Sequence, residues 1–281
     1  MLEINLWDST FDHLRTESGN FSMVHGKENN FIKYLYRKTC FNGITIFTDN
    51  FLNVNYIKAV EGGIKIGWLI ERREISQMAY ALVDRYIDHL DFLLTNDPLL
   101  LNKYPNKCKF VPFGGSWIKE ENYKIFDKLK NISMIYSSKK GHLPGYDIRL
   151  LSPPLIKGSV DLYGTGPNRF IQTKEEGLID YKYSVVIENV KADNYFTEKI
   201  LDCFCVGTVP IYWGCPNIGD FFDINGIITF NSVSELQNIV DTIEKTNIDP
   251  KSIENNLNIS KKYDVVENWM YKNILKGLCN G

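Results

Sequence analysis

The chain has 281 residues, of which 44% are hydrophobic and 23% are charged, the balance of an ordinary globular protein large enough for two domains. Its formal net charge of −2 argues against nucleic acid or an anionic membrane as a bulk partner. The N-terminal residues, MLEINLWDSTFDHL, carry acids where a secretory leader carries basic residues, and no run approaches the roughly 20 apolar residues of a membrane helix. These features predict a soluble, cytoplasmic protein with no transmembrane segment.

Cysteine and histidine spacing gives no sign of a metal centre. The six cysteines form no CxxC pair, and the four histidines share no ligand-like spacing with them. The sequence therefore predicts free thiols and no bound metal or cofactor.

Short apolar runs alternate with amphipathic stretches in the first part of the chain. The runs at 44–47, 64–70, 92–94 and 109–112 predict strands, and the spacing over 75–87 predicts a helix. The segment PFGGSWIKEEN, 112–122, is rich in turn residues and predicts a junction. We expect a first α/β domain at 1–120.

The second part repeats this alternation. It predicts strands at 133–136, 159–163, 183–187, 209–213 and 227–230, and helices near 123–130, at 234–245 and over 259–278. We expect a second α/β domain at 121–260 and a C-terminal helix, 261–281, that packs back on the first domain.

Two alternating blocks predict an α/β fold with two Rossmann-like domains whose parallel sheets face a central cleft. Ligands bind at the carboxyl ends of such strands, so we expect the chemistry at Glu71, at residues 114–115, and in loops 137–149 and 188–199. No GxGxxG follows a predicted strand and no P-loop motif occurs, which argues against classical dinucleotide binding and P-loop hydrolysis.

The most informative segment is YKYSVVIENVKADNYFTEKILDCFCVGTVPIYWG, 181–214, which predicts a strand, a polar loop, a helix and a second strand. Thr197 is a helix N-cap residue, and Glu198 lies in the first turn, where the helix dipole favours an acid. Lys199 stands where a cation is disfavoured, and a bound anion such as a phosphate would explain it. Gly207 is a natural C-terminal stop. The sequence predicts an anion site at the start of this helix.

This segment resembles the signature of the α1,3-fucosyltransferases, glycosyltransferase family 10, which is roughly YKFxLxFENSxxxDYxTEKxxxAxxxGxVPVxxG. The upstream segments SSKKGHLPGYDIR and VDLYGTG are similar to the start of that family's donor domain. The resemblance implies a GT-B fold, a nucleotide-sugar donor in the C-terminal domain and a glycan acceptor in the N-terminal domain. It also implies inversion at the anomeric carbon without an essential metal. One departure is Val190, where the family has a polar residue.

The residues and the resemblance together predict a donor site. Lys199 and Arg149 are expected to stabilise the diphosphate, although Lys139 and Lys140 could do the work of Arg149. For the others the alternatives are a packing aromatic, an internal hydrogen bond or a tight turn. The predicted donor-binding residues are Arg149, Glu188, Asn189, Tyr195, Thr197, Glu198, Lys199, Tyr163 and Gly164.

The catalytic base is predicted to be Glu71, which follows the strand KIGWLI. The alternative is an ion pair of Glu71 with a neighbouring arginine, and the other candidate bases are Glu61, Glu74 and Asp97. Asp97 is also predicted to bind the acceptor, together with Trp117, whose segment could equally be a hinge.

These expectations combine into a glycosyltransferase that moves L-fucose from GDP-fucose to a glycan hydroxyl. The alternatives are the same fold with another nucleotide sugar, such as a UDP-pentose, or a silent glycan- or nucleotide-binding module. The sequence does not predict the oligomeric state.

Overall fold

The computed structural model describes residues 1–8, 18–23 and 27–278. The chain divides into two compact units, the first made of Met1–Gly115 with Val265–Gly281 and the second of Ser116–Asp264. The first boundary follows Gly114 and Gly115, whose φ angles are 67° and 85°. Glycine adopts such positive φ angles at little cost. The boundaries therefore fall near, but not at, residues 120 and 260 of the sequence prediction.

Each unit contains one sheet in which every strand pair is parallel. In the described residues of unit 1 the order is β2-β1-β3-β4-β5-β6, and in unit 2 it is β11-β10-β9-β7-β8. The strands are β1 (Leu2–Trp7), β2 (Ile32–Tyr36), β3 (Ile44–Thr48), β4 (Ile64–Trp68), β5 (Phe92–Thr95), β6 (Cys108–Phe110), β7 (Lys130–Ile135), β8 (Asp161–Tyr163), β9 (Tyr181–Ile187), β10 (Val209–Trp213) and β11 (Ile228–Thr229).

Helices connect most of these strands, as parallel pairing requires. They are α1 (Val54–Ala59), α2 (Gln77–Ala81), α3 (Val83–Tyr86), α4 (Pro98–Lys103), α5 (Pro144–Ile156), α6 (Glu198–Cys205), α7 (Val233–Thr242), α8 (Pro250–Ser260), α9 (Val266–Met270) and α10 (Lys276–Leu278). A π-helical turn, Tyr271–Leu275, joins the last two.

Both faces of each sheet are covered by apolar side chains. In unit 1 the C-terminal segment contributes Val266, Met270 and Leu275 to the core on one face, and a second core lies on the other face. Unit 2 likewise has two cores, one under α6 and one under α7. Sheets buried on both faces explain the continuous apolar runs of the sequence.

Several predicted elements were wrong or missed. Residues 123–129 form no helix, because Lys128 holds this segment extended by donating to the carbonyls of Ile179 and Val206 at 2.9 and 2.8 Å. The predicted helix 75–87 is divided at Leu82 into α2 and α3. Strands β1 and β2 and helix α5 were not predicted at all.

The predicted C-terminal helix over 259–278 is interrupted. Helix α8 ends at Ser260, a 3₁₀ turn follows, and the extended Val265 separates it from α9. No helix in the described ranges is long and apolar enough to cross a membrane. The same ranges bring no three His, Cys, Asp or Glu side chains together in a way that could hold a metal.

Candidate active site

A cavity of about 480 Å³ opens in unit 2 at the carboxyl ends of β7 and β9. This edge is where parallel sheets bind ligands, because the loops that follow the strands converge there. The side chains on its wall include Arg149, Lys199, Asp202 and Trp117. These four residues bring two cations, an acid and an aromatic ring to the wall, a set suited to an anionic ligand with a ring system.

The start of α6 is built around a buried carboxylate. Glu188 follows β9 directly and is 0% exposed. Its two oxygens accept hydrogen bonds from the backbone N–H and the hydroxyl of Thr197, at 2.9 and 2.7 Å. Thr197 is the N-cap of α6, and its hydroxyl oxygen accepts from the backbone of Lys199. Glu188 therefore fixes the loop from β9 to α6, as the internal hydrogen-bond alternative proposed.

Lys199 is held between two carboxylates. Its Nζ lies 3.0 Å from Glu198 Oε1 and 3.4 Å from Glu188 Oε2. Burial disfavours the charged amine, but the charges of Glu198 and Glu188 outweigh it, so the pKa of Lys199 lies above its usual value. Glu198 and Glu188 thus partly explain why a lysine stands in the first turn of α6, the feature from which the sequence analysis predicted an external anion. The side chain of Lys199 still reaches the cavity wall.

The pKa values of Glu188 and Glu198 shift in opposite directions. Burial raises the pKa of Glu188, with Lys199 and the Thr197 hydrogen bonds opposing the shift. Burial also disfavours ionisation of Glu198, but the charge and hydrogen bond of Lys199 prevail and hold its pKa below the usual value. Lys199 is therefore cationic at neutral pH and is positioned by Glu198 beside the cavity.

Arg149 lies in helix α5, so its predicted place in a loop is wrong. Its Nε donates to the carbonyl of Ile187 at 2.9 Å, and its NH2 donates to Asn189 Oδ1 at 2.7 Å. Burial lowers the pKa of Arg149, while the negative charge of Glu188 opposes the shift. The guanidinium remains charged, since arginine is effectively never deprotonated in proteins.

The approach of α5 to this loop depends on a glycine. The N–H of Gly145 donates to the carbonyl of Asn189 at 3.0 Å. A Cβ at Gly145 would lie 1.8 Å from the carbonyl oxygen of Glu188, which no side chain could tolerate. Only glycine allows the first turn of α5 to reach the loop that follows β9, and this contact places Arg149 near Lys199.

Two bonded sets thus include six of the predicted donor residues. Glu188, Thr197, Lys199 and Glu198 form one set, and Arg149 with Asn189, the residue next to Glu188, forms the other. Tyr195 is 1% exposed and lies in the interior rather than on the cavity wall. Tyr163 directs its hydroxyl to that of Tyr181, at 2.7 Å, whereas Gly164, with φ of 100°, does line the cavity. Donor contacts by these residues stay predictions, and the placement favours Gly164 over the two tyrosines.

The predicted role of Trp117, acceptor binding, requires it to lie in unit 1, but it does not. It belongs to unit 2 and lines the same cavity as Arg149 and Lys199, with 47% of its surface exposed. It therefore shares a wall with the predicted donor residues, which does not support acceptor binding.

In unit 1, Asp97 is buried, and its carboxylate is bonded to other residues of the same unit. It is 0% exposed, caps α4 by accepting from the backbone of Leu99 and Leu100, and pairs with Arg73 at 2.7 Å and Arg72 at 3.5 Å. This arrangement leaves Asp97 a structural role and speaks against acceptor binding. Arg72 and Arg73, the neighbouring arginines that were the alternative partners of Glu71, are therefore paired with Asp97.

Glu71 follows β4 and has a close acidic neighbour that the sequence analysis missed. Asp49, directly after β3, is 3% exposed. Burial and the negative charge of Glu71 raise the pKa of Asp49 to about 8. The rule that selected Glu71, an acid at the end of a buried strand, could have selected Asp49 as well.

Substitution of Asp49 by Asn is expected to flatten the pH dependence of stability. The pKa of this carboxyl is about 8 when folded and near the reference value of 3.8 when unfolded. Between these values the folded protein holds a proton that the unfolded chain has released, so stability falls as pH rises, by up to about 1.4 kcal/mol per pH unit. Asn mimics the protonated acid and cannot release a proton.

Urea denaturation of wild type and Asp49→Asn at pH 5, 6.5 and 8 measures this effect. The variant is expected to gain stability relative to wild type as the pH rises. The control is Asp88→Asn at an exposed position. If the wild-type and Asp49→Asn curves run parallel, Asp49 is ionised in the folded protein.

The two parallel α/β units, and the cationic cavity at the strand ends of the second, define a protein with the GT-B glycosyltransferase architecture. The chain aligns with an α1,3-fucosyltransferase crystallised with GDP at a TM-score of 0.59, with 16% identity, over 99% of this chain and 89% of that one. It aligns equally well, at 0.59 and 14% identity, with Anabaena HepE in complex with UDP and glucose, over 85% of this chain and 78% of that one. These likenesses confirm the predicted fold class.

The second half of the chain is also similar in sequence to one family of glycosyltransferases. Residues 155–281 match the model for the glycosyltransferase family 10 (fucosyltransferase) C-terminal region. The chain is 31% identical over 74 residues to the α-(1,3)-fucosyltransferase FucT of Helicobacter pylori, and 36% identical over 70 residues to α-(1,3)-fucosyltransferase B of Drosophila melanogaster. These matches cover 26% and 25% of this chain but only 16% and 15% of the two relatives.

Proposed function

We propose that the protein transfers L-fucose from GDP-fucose to a hydroxyl of a glycan, with inversion and without an essential metal. The observation that carries this proposal is a pair of cations on the wall of one cavity: Lys199, held by Glu198 at the start of α6, and Arg149 of α5, held by Asn189 in the loop after β9. The match of residues 155–281 to the family 10 model and the GDP-fucose in a solved structure of the same fold support this choice of donor.

Transfer of a sugar from a nucleoside diphosphate requires positive charge next to the diphosphate. As the bond between the sugar C1 and the β-phosphate oxygen breaks, negative charge develops on the diphosphate. Two fixed cations and the N-terminus of a helix stabilise that charge without reorganising, and we propose that they make a metal unnecessary. Both cations are largely buried, which strengthens their effect because little water screens them.

Inversion in one displacement requires a base for the acceptor hydroxyl, and we propose Glu71 of unit 1 for this role. The acceptor oxygen forms the new bond to C1 as its proton passes to the carboxylate, and GDP leaves from the opposite face. General-base catalysis of this kind is worth about 10²- to 10⁴-fold. The raised pKa of the neighbouring Asp49, about 8, means that Glu71 has a protonated rather than a charged neighbour at neutral pH.

A second candidate function uses a UDP-sugar as donor. The observation in its favour is the equal structural similarity to HepE, which was crystallised with UDP and glucose. Diphosphate binding by Lys199 and Arg149 would be the same in both cases, so the two functions differ in the nucleobase and the sugar.

Ligand-dependent stabilisation separates these functions. Purified protein is heated with GDP-fucose, GDP, UDP-glucose or UDP, and release of nucleoside diphosphate is measured with and without EDTA. We expect stabilisation by GDP-fucose of about 2.7 kcal/mol at 100 times its dissociation constant, and slow release of GDP that EDTA does not abolish. Glu198→Ala is expected to lose both effects, while Lys245→Ala, at an exposed position, retains them.

Stabilisation by UDP-glucose alone would favour the second function. Binding of GDP-fucose with neither transfer nor hydrolysis would identify a silent binding module, and no response to any of the four compounds would contradict the proposal.

A further inference from the structure

The loop that follows β2 in unit 1 holds an arginine in an unusual backbone conformation. Arg37 has a φ of 46°, in the left-handed region that residues other than glycine rarely adopt. The backbone of the next residue, Lys38, is bonded twice to the side chain of Asn5, which donates to its carbonyl at 2.8 Å and accepts from its N–H at 2.7 Å. Asn5 lies in β1 and is 0% exposed, so a buried side chain holds this loop in place.

The side chain of Arg37 extends across the ends of two further strands. Its NH2 group donates to the carbonyl of Asp8, the residue after β1, at 2.6 Å. Its Cζ lies 4.2 Å from the ring centroid of Phe51, in the turn that follows β3, and 4.8 Å from that of Tyr36. One hydrogen bond and two cation–π contacts thus fix the guanidinium at the carboxyl edge of this sheet.

The charge of this guanidinium is not neutralised within the described part of the chain. No carboxylate there lies within ion-pair distance of Arg37, and the carboxylate of Asp8 accepts from the hydroxyl of Thr48 at 2.5 Å instead. Arginine has five N–H donors, and here Nε is buried without an acceptor. A strained backbone and an unsatisfied N–H both disfavour folding, and proteins retain such features mainly at functional sites.

An aromatic surface accompanies the cation. The ring centroid of Tyr56, on α1, lies 4.8 Å from that of Phe51, and 41% of Tyr56 is exposed. An exposed aromatic face suits the apolar C–H face of a sugar ring. A guanidinium matches carboxylate, sulfate and phosphate groups in charge and geometry. The cation and the ring together therefore fit a sugar that carries an anionic group.

This place lies on the same sheet edge as the proposed base. The strand order is β2-β1-β3-β4, and Glu71 follows β4. The end of β2, where Arg37 begins, is three strand spacings from β4, about 14 Å across the sheet. The side chain of Arg37 shortens that span, because it extends to Phe51 after β3. A short oligosaccharide whose hydroxyl reaches Glu71 would therefore also reach Arg37.

We propose that Arg37 and Tyr56 form an acceptor subsite for an acidic glycan, one that carries a carboxylate, sulfate or phosphate close to the hydroxyl that receives the sugar. The ring of Tyr56 stacks on a sugar, and the guanidinium of Arg37 pairs with the anionic group. A neutral glycan leaves that guanidinium unpaired, so the subsite favours the acidic member of two otherwise identical glycans. The subsite rests on the proposed function, and it names the class of acceptor.

A glycan array that pairs each acidic glycan with a neutral counterpart tests this subsite. The pairs are uronic acid glycans and their carboxyl-reduced forms, and sulfated or phosphorylated glycans with and without that group, so the array also identifies the anion. The protein is applied with saturating GDP, and calorimetry then measures the affinity for the best pair. Wild type is expected to bind the acidic member about 10- to 100-fold more tightly, as hydrogen bonds to a charged group allow.

Substitutions of one cation at a time show which group reads the anion. Arg37→Gln removes the charge and is expected to abolish the preference for the acidic member, while its affinity for the neutral member stays unchanged. Arg37→Lys keeps the charge without the planar fork and is expected to retain only part of the preference. The matched control, Lys58→Gln at an exposed position of α1, removes the same charge and is expected to retain the full preference.

The assignment would be overturned if no acidic glycan binds more tightly than its neutral counterpart, or if Arg37→Gln keeps the preference. An equal loss for both members of the pair in that variant would show a structural role for Arg37 and would also overturn it. If Arg37→Gln does not fold, a full preference in Arg37→Lys has the same meaning.

Release of GDP from GDP-fucose tests the proposed function separately. If release is stimulated by neutral glycans alone, the function stands and the acidic subsite fails. If acidic glycans bind through Arg37 but GDP-fucose is neither bound nor used, the subsite stands and the proposed function fails.

Discussion

Lys199→Met is expected to reduce donor turnover by about 10²- to 10³-fold, the usual cost of removing one preorganised stabilising group from a site of developing charge. Methionine retains most of the side-chain stem and removes the ammonium that lies 3.0 Å from Glu198. The substitution acts in two ways. It removes the cation, and it leaves Glu188 and Glu198 without their cationic partner, so that they repel an incoming diphosphate. The affinity for GDP is therefore expected to fall along with the rate.

The measurement is release of GDP from GDP-fucose together with calorimetric titration of GDP. Lys245→Met, at an exposed position of the same unit, is the matched control. Lys199→Arg restores the charge without the geometry and is expected to recover only part of the rate. Turnover within about threefold of wild type in Lys199→Met would remove this residue from the proposed site.

Glu188→Leu is expected to destabilise unit 2 by about 3–5 kcal/mol, the range measured when one partner of a buried ion pair is removed. Glu188 is 0% exposed and accepts both bonds from Thr197, so its loss leaves a buried N–H and a hydroxyl without acceptors. It also removes one of the two acids that hold Lys199. The start of α6 would lose its anchor to β9.

Chemical denaturation followed by tryptophan fluorescence measures this loss, and hydrogen exchange at the α6 backbone locates it. Glu188→Gln keeps one acceptor oxygen for the Thr197 N–H, and its amide can donate to the Thr197 hydroxyl, so it is expected to cost much less, about 1 kcal/mol. If the Leu and Gln variants are equally stable, the hydrogen bonds between Thr197 and the side chain at position 188 contribute nothing to the fold.

The unit around α6 was predictable because its signals are local. The strand over 209–213 was predicted with the bounds of β10, and Thr197 is the N-cap that its type and position indicated. Gly207 follows the last turn with φ of 69°, as a helix stop requires. Each of these features depends on residues only a few positions apart.

Helix α5 was missed because its own sequence argues against it. It contains Pro153 and Pro154, and Gly145 stands in its first turn, all poor helix formers. What stabilises it is the contact of Gly145 and Arg149 with a loop some 40 residues further along the chain. No local pattern contains that information, and so the position of Arg149 could be predicted from the family likeness but its helix could not.

The acids of unit 1 illustrate a second limit. Asp97 and Asp49 each follow a buried strand, and the same rule marks both. The structure separates them by their partners, since Asp97 meets two arginines and Asp49 meets another acid. Such partners depend on which strands lie side by side, which the sequence alone does not give.

The close contact at Gly145 has a consequence for how such a site can diversify. Since a methyl group there would overlap the carbonyl of Glu188, no single substitution at position 145 can be accepted unless the loop after β9 is rebuilt at the same time. Exchange of α5 between related chains would likewise succeed only if the loop travels with it. A change in either piece, although the two are about 40 residues apart, therefore requires a matching change in the other.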